Sequence, residues 1–419
     1  MSADKYHNGV PVDHLPKGGG VYRFRDPAIA AIAAVASSVD AQMSATMVGR
    51  PQPQTTVEQP GGPFIRYTQP GNLPQYQAPG YPFGNLIQQP LVARAGYYRD
   101  FRLYFIGGGG VNGTTTVAAT TDAPYNIATL VQFKDPFGTL IFSLPSFELY
   151  LVNLFSGGAG CGIGPTAAVA NFPSFSAVSV GTTGTGDFSM ALSLPLEFAK
   201  GIGTAPGANA SVQPTLQVNL NTSAQFFSTA PGTVPTITLD VESDFYWLPQ
   251  GAQIIPPSLG TSRQWILQVG NPPIAASSNN RISFPRLGGF LDTLILELRD
   301  STNARVAAFP SLTNRFQLII DGVPIDDSPM WKLLDDAYIA FGGLTLPTGV
   351  YVYTRKTSLN QASLGLLDTS EATISSNPGT LIEVQGQPWG SGGTPPYTLN
   401  VIIGQIVPRG QLPQGLPEV

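Results

Sequence analysis

The sequence predicts an all-β chain built twice over, and three observations carry the prediction. Short apolar runs separated by Gly, Pro, Asn and Thr recur from Gly96 to Val407, the pattern of sandwiches and barrels. These runs fall into two sets that resemble each other in order. At 419 residues the chain also exceeds the roughly 250 to 300 that one core organises, so two domains are expected.

Residues 1–90 precede the first set. Asp26-Pro27 offers an N-cap with Pro at the first helical position, and Ile29, Ile32, Val39, Met43 and Met47 follow at helical spacing before Gly49, predicting a helix over about 27–47. Between Gly49 and Pro90 the chain is dominated by Pro, Gln and Gly. So many prolines argue against helix and central strand and for a stiff, extended arm. Its aromatics Phe64, Tyr67, Tyr76, Tyr81 and Phe83 favour docking on a surface, and removal of residues 1–75 is expected to take away no strand.

The first set of predicted strands is 97–106, 130–133, 140–142, 147–154, 188–198, 215–220 and 236–247. Within it, Asn126 to Asn153 reads as a strand hairpin. Leu130, Val131 and Phe133 lead into Asp135-Pro136-Phe137-Gly138, with Pro and Gly where a turn wants them, and an apolar strand follows.

The order of Asn126, the Asp135-Pro136 turn and the closing Leu151-Val152-Asn153 resembles the early hairpin of the first jelly roll in double jelly-roll major capsid proteins, the tectivirus and adenovirus lineage. The resemblance implies two jelly-roll barrels side by side, 91–252 and 253–411, joined near Gln250 to Ser262 and ending in a tail, 412–419. It further implies homotrimers whose six barrels give a pseudo-hexagonal capsomer, as in the bacteriophage members, and an icosahedral virion shell, often over an internal membrane that the N-terminal arm could reach. Penton and minor capsid proteins would be its partners, and the chain would be made in the host cytoplasm.

The second set is 265–269, 281–284, 290–298, 316–320, 349–355, 380–384 and 397–407. Gly96-Tyr-Tyr-Arg-Asp-Phe-Arg-Leu-Tyr-Phe parallels Gly289-Phe-Leu-Asp-Thr-Leu-Ile-Leu-Glu-Leu, and Pro235-Thr-Ile-Thr-Leu-Asp-Val parallels Pro396-Tyr-Thr-Leu-Asn-Val. Period-two geometry then points Phe101, Leu103 and Phe105, and likewise Leu294, Leu296 and Leu298, into the two cores. One helix interrupts the set: Ser328-Pro329 caps it, and Met330, Leu333, Leu334, Ala337, Tyr338 and Phe341 form its apolar face. It is expected on the flank, beside strand 316–320.

Composition limits function. Charged residues are 11% of the chain against about 25% in ordinary soluble proteins, which argues for a surface covered by other subunits. A net charge of -5 argues against specific nucleic-acid binding. The two histidines, His7 and His14, precede the β body, so neither a histidine-based triad nor a two-histidine metal site is expected within it. The single cysteine, Cys161 in Gly157-Gly-Ala-Gly-Cys-Gly, reads as a small loop residue. No apolar run approaches the roughly 20 residues of a membrane span.

Asp321, Asp326, Asp327, Asp335 and Asp336 do not have calcium-loop spacing and read as turn and cap residues. Trp247, Trp265 and Trp331 read as core anchors, whereas Trp389 reads as a loop tip able to stack on a sugar or a subunit. The expectation is a non-enzymatic shell protein with no catalytic, metal or cofactor residues. Two other classes fit the composition: a phage adhesin or tail-associated β-protein, which predicts exposed aromatics, and a carbohydrate-active double β-sandwich, which predicts convergent acids.

Overall fold

The computed structural model describes residues 6–7, 10–11, 68–92, 96–136, 138–155, 178–198, 203–207, 213–247, 261–269, 280–284, 290–306, 315–320, 322–340, 346–354, 374–375, 382–386 and 394–408. The predicted helix 27–47, the joint at Gln250 to Gly260, the tail, His14, Cys161 and Trp389 lie outside them. The chain divides into two compact units, 1–59 and 60–419. The first contains a small antiparallel ladder of β1 (Tyr6–His7) and β2 (Val10–Pro11).

The second unit opens with β3 (Gln69–Tyr81), β4 (Leu86–Pro90), β5 (Gly96–Gly108), β6 (Ala118–Ala119), β7 (Ala128–Lys134) and β8 (Leu140–Leu144). Helix α1 (Ser146–Phe155) separates these from β9 (Phe188–Pro195), β10 (Ala205–Pro206) and β11 (Thr215–Leu220). A single-turn helix α2 (Ser223–Phe226), β12 (Phe227–Thr229) and β13 (Thr236–Trp247) complete the set. One sheet places β3 beside β13, β13 beside β5 and β5 beside β9, with β10 on β5; the sheet facing it runs β4, β11, β7, β8.

The second set repeats this. It comprises β14 (Thr261–Val269), β15 (Asn280–Phe284), β16 (Phe290–Arg299), β17 (Arg315–Ile320), β18 (Val323–Pro329), helix α3 (Met330–Ala340), β19 (Val350–Thr354), β20 (Ile374–Ser375), β21 (Ile382–Gly386) and β22 (Thr398–Pro408). Its sheets run β14, β22, β16, β19 and β15, β21, β17, β18. Counting the eight long strands of each set, the first, eighth, third and sixth form one sheet and the second, seventh, fourth and fifth the other. This is the jelly roll, made twice.

Alternation produces the two cores as expected. Phe101, Leu103 and Phe105 are fully buried within the first barrel, while the alternate residues Arg102 and Ile106 are exposed and Tyr104 is half-buried. Leu294, Leu296 and Leu298 join Phe316, Leu318, Tyr351 and Val401 in a separate core inside the second. The Asp135 turn also forms. Gly138 takes a positive φ of 80° and donates to the Asp135 carbonyl at 2.9 Å. The Asp135 carboxylate accepts from the Thr139 amide at 2.8 Å, closing β7 onto β8.

The structure corrects three expectations. Residues 147–154 are helix α1, not a strand. In Phe-Glu-Leu-Tyr-Leu-Val-Asn-Leu nearly every position is apolar, and all described positions but Leu154 are buried, so no polar stripe betrays the 3.6-residue period. From Gln69 the Pro-rich segment supplies β3 and β4, so the first barrel begins before residue 91 and removal of 1–75 cuts into β3. Both are edge strands, where a missing amide does not break a ladder. Finally, α3 lies on β19 and the end of β18, and its Trp331 is exposed instead of anchoring a core.

The two barrels share backbone. β8 of the first pairs in parallel with β14 of the second, Phe142 opposite Trp265 and Ser143 opposite Ile266. One nine-stranded sheet therefore runs through both barrels.

Candidate functional site at the seam between the barrels

The seam is built around α1. Its first residue, Ser146, donates from its hydroxyl to the Tyr125 carbonyl at 2.6 Å and accepts from the Ala128 amide at 2.8 Å. Near its end, the Asn153 carboxamide donates to the Ser193 carbonyl at 2.6 Å and accepts from the Ser193 amide at 2.7 Å. That side chain stands in for a strand neighbour and docks α1 against β9. Tyr150 stacks on Tyr125 with ring centroids 3.9 Å apart.

So fixed, the first turn of α1 meets the second barrel through Phe147, whose ring lies under Arg299 and Arg305. Ile295, Val350, Val352, Ile402 and Trp265 belong to one continuous core with α1 and the first barrel, not to the second barrel's interior. Trp265 fits because its strand neighbour is Gly404: a Cβ there would stand 2.8 Å from the indole Cζ3.

Five ionic side chains cap this apolar seam. Arg299 on β16 meets Asp122 at 2.7 Å and Glu297 at 2.6 Å, and it donates to the Asn303 carbonyl at 2.8 Å. Arg305 meets the other Asp122 oxygen at 2.7 Å. Both guanidinium groups lie over the Phe147 ring, 5.3 and 5.1 Å from its centroid. Asn400 donates to Glu297 at 3.0 Å.

Three carboxylates, Asp122, Glu148 and Glu297, thus share two guanidinium groups. Burial, and then the charge of Glu297, push the Glu148 carboxyl up to about 8, with Arg299 pulling the other way. Near neutral pH Glu148 therefore holds a proton, and the cluster balances. The Arg299 guanidinium, flanked by Glu297 and Asp122, is held above its ordinary range despite the opposing effect of burial. A cleft of about 690 Å³ opens beside it, lined by Asp122, Asn126, Glu148, Arg299 and Asn400 among others. Its arginine, Arg299, is engaged by Asp122 and Glu297 of this chain, so the arrangement serves to join barrels.

The residues singled out in the sequence are dispersed. Asp326 accepts from Ser328 and Tyr353, Asp327 pairs with Arg315 and Asp336 with Lys332. Among the described residues no cluster of three or more His, Cys, Asp or Glu side chains could hold a metal ion, and no helix is long and apolar enough to cross a membrane. Trp265 is a core anchor, and Trp247 is partly buried, edge-on to Phe245 at 5.1 Å. The ionic cluster was not legible in the sequence, because its members come from five separated positions that only the second barrel's docking brings together.

Two jelly rolls of identical strand order, joined edge to edge in one chain, define the double jelly-roll fold. Solved structures agree. The chain is similar to the major capsid protein of Sulfolobus Turreted Icosahedral Virus, at 14% identity over 81% of this chain and 96% of that chain, with a TM-score of 0.53. It is also similar to VP54 of PBCV-1, at 15% identity over 84% and 96%, with a TM-score of 0.54. At these identities the likeness is one of fold. No family model and no curated protein sequence matches the chain.

Proposed function

We propose that this chain is a viral major capsid protein, a component of the virion shell, that associates through its barrels into trimeric, pseudo-hexagonal capsomers tiling an icosahedral capsid. The observation that carries the reading is the doubled jelly roll itself: two barrels with one strand order, held rigidly by a shared sheet and a buried seam. A fold-level likeness to capsid proteins of two viruses supports it. So does the low charge content, 11%, which suits a surface covered by other subunits.

In this reading the partners are further copies of the chain, penton and minor capsid proteins, and an internal membrane reached by the N-terminal residues. No catalytic, metal or cofactor role is assigned to any residue, and no specific nucleic-acid binding. The test is light scattering on the purified protein followed by electron microscopy of its assemblies. Trimers and hexagonal tiles are expected. A stable, soluble monomer at micromolar concentration would overturn the proposal.

A further inference from the structure

The duplication makes the seam a template for a second contact. In each barrel a helix leaves the end of the fifth strand directly after a proline: α1 follows Pro145 and α3 follows Pro329. Phe147 and Trp331 are therefore equivalent, as are Glu148 and Lys332. The third strands correspond through their cores, where Leu103 faces Val241 and Leu296 faces Val401. Arg102, Tyr104 and Ile106 on the outer face of β5 thus match Ile295, Glu297 and Arg299 on β16.

Burial at these matched positions is reciprocal. The first-barrel helix is covered, Phe147 being 2% exposed, whereas its counterpart Trp331 is 51% exposed, with Tyr338 at 58% and Ile339 at 54%. At 100° per residue, Tyr338, Trp331, Asp335, Ile339 and Lys332 form one continuous outward arc of α3. Conversely, Ile295 and Glu297 are fully buried at the seam, while Ile106 is 48% exposed and Arg102 is exposed with it. Each barrel carries a helix and a sheet face able to make the seam, and within one chain only half of each is used.

We propose that the outward arc of α3 docks on the outer sheet face of the first barrel of a second copy, around Ile106 and Tyr104, repeating between chains the contact that α1 makes within one. The inference rests on the self-assembly reading above and names its interface. The centre of the contact is apolar, Trp331 and Tyr338 meeting Ile106 and Tyr104. At its edge the arc carries Lys332, paired within α3 to Asp336 at 2.7 Å, and Asp335, while the receiving sheet carries Asp240, Glu242 and Asp244 on its outer side, with Arg102 paired to Asp244 at 3.2 Å. Such a contact is heterologous, joining different patches of two copies, so it propagates head to tail and closes into a ring when the rotation permits.

Two full-length variants test it: a helix variant, Trp331→Ala with Tyr338→Lys, and a sheet variant, Ile106→Lys with Glu242→Lys. All four positions lie on the surface, and far-UV circular dichroism with thermal melting checks folding. Should the sheet variant melt early, Ile106→Lys alone replaces it. By light scattering, each variant alone is expected to be monomeric where the parent is oligomeric, a weakening of at least about a hundredfold.

Mixed together, the two variants are expected to form a 1:1 dimer that grows no further, because one chain keeps the helix and the other the sheet. If either variant still assembled by itself, or if the mixture stayed monomeric, the proposed interface would be wrong while the capsid reading stood. A monomeric parent would remove both.

Discussion

Arg299 and Asp122 meet at 2.7 Å across the seam, one from each barrel, both nearly shut off from solvent. Removing one partner of a buried pair strands the other without water. Arg299→Ala leaves Asp122, Glu297 and Glu148 with Arg305 as the remaining cation of the cluster, and is expected to cost about 3 to 5 kcal/mol in urea unfolding. Arg102→Ala, which breaks the exposed pair with Asp244, is expected to cost no more than about 1 kcal/mol. Equal losses would show that the seam cluster contributes nothing special.

Glu148 gives the seam a pH dependence with a definite sign. Its carboxyl rises from an ordinary 4.5 to about 8, through burial first and Glu297 second. The folded state therefore holds this proton where the unfolded chain has lost it, and stability falls as pH rises through that interval. Melting temperature should drop from mildly acidic to mildly alkaline buffer, more steeply in the parent than in Glu148→Gln. Asp100, raised by burial to about 7, adds a slope of the same sign to both proteins, so the difference between them isolates Glu148. Parallel profiles would remove Glu148 from the account.

The two cores should respond alike to truncation. Leu103 and Leu296 are both fully buried on equivalent strands, and changing either to Ala is expected to cost about 2 to 5 kcal/mol, the usual penalty for a cavity. Sensitivity in one barrel alone would mean that the second does not depend on its interior in the same way.

Gly404→Ala should destabilise without adding charge or polarity. Its new methyl would meet the Trp265 ring, which the paired strands β14 and β22 hold from moving away. A loss of about 1 to 3 kcal/mol is expected, the range for overpacked cores. Gly84→Ala is a poor control because φ there is +82°, whereas Gly108→Ala, with open space around its Cβ, should be nearly neutral.

Truncation distinguishes the two compact units. Deleting residues 1–59 stops at the boundary between them and should leave the melting temperature of the double barrel unchanged. Deleting 1–75 also removes half of β3, including the buried Leu73 and its pairing with Ser243. It should lower that temperature markedly. Equal melting of both truncations would mean that β3 is dispensable.

Most strands were legible because one-sided burial writes itself as alternation: Arg102 between Phe101 and Leu103 is unmistakable. Legibility failed where that contrast was absent. Helix α1 is buried on nearly every side, so its sequence carries no polar face, whereas the Ser328-Pro329 start and the helical spacing of Leu333, Leu334 and Ala337 gave α3 away. The internal duplication held the missing information, since a helix after Pro329 implies one after Pro145. Proline misled in β3 because composition does not tell an edge strand from an arm. The expectation for Trp331 failed more informatively, for an indole on a helix face promises burial without saying in which molecule.

The shared nine-stranded sheet has a mechanical consequence. Hydrogen bonds between Phe142 to Ser143 and Trp265 to Ile266 couple the barrels through main chain, with no flexible side chains in between. Prying them apart means breaking that ladder and opening a buried ionic cluster together. The double barrel should therefore behave as one stiff body under load, and in the proposed shell any bending would be absorbed at the joints between molecules.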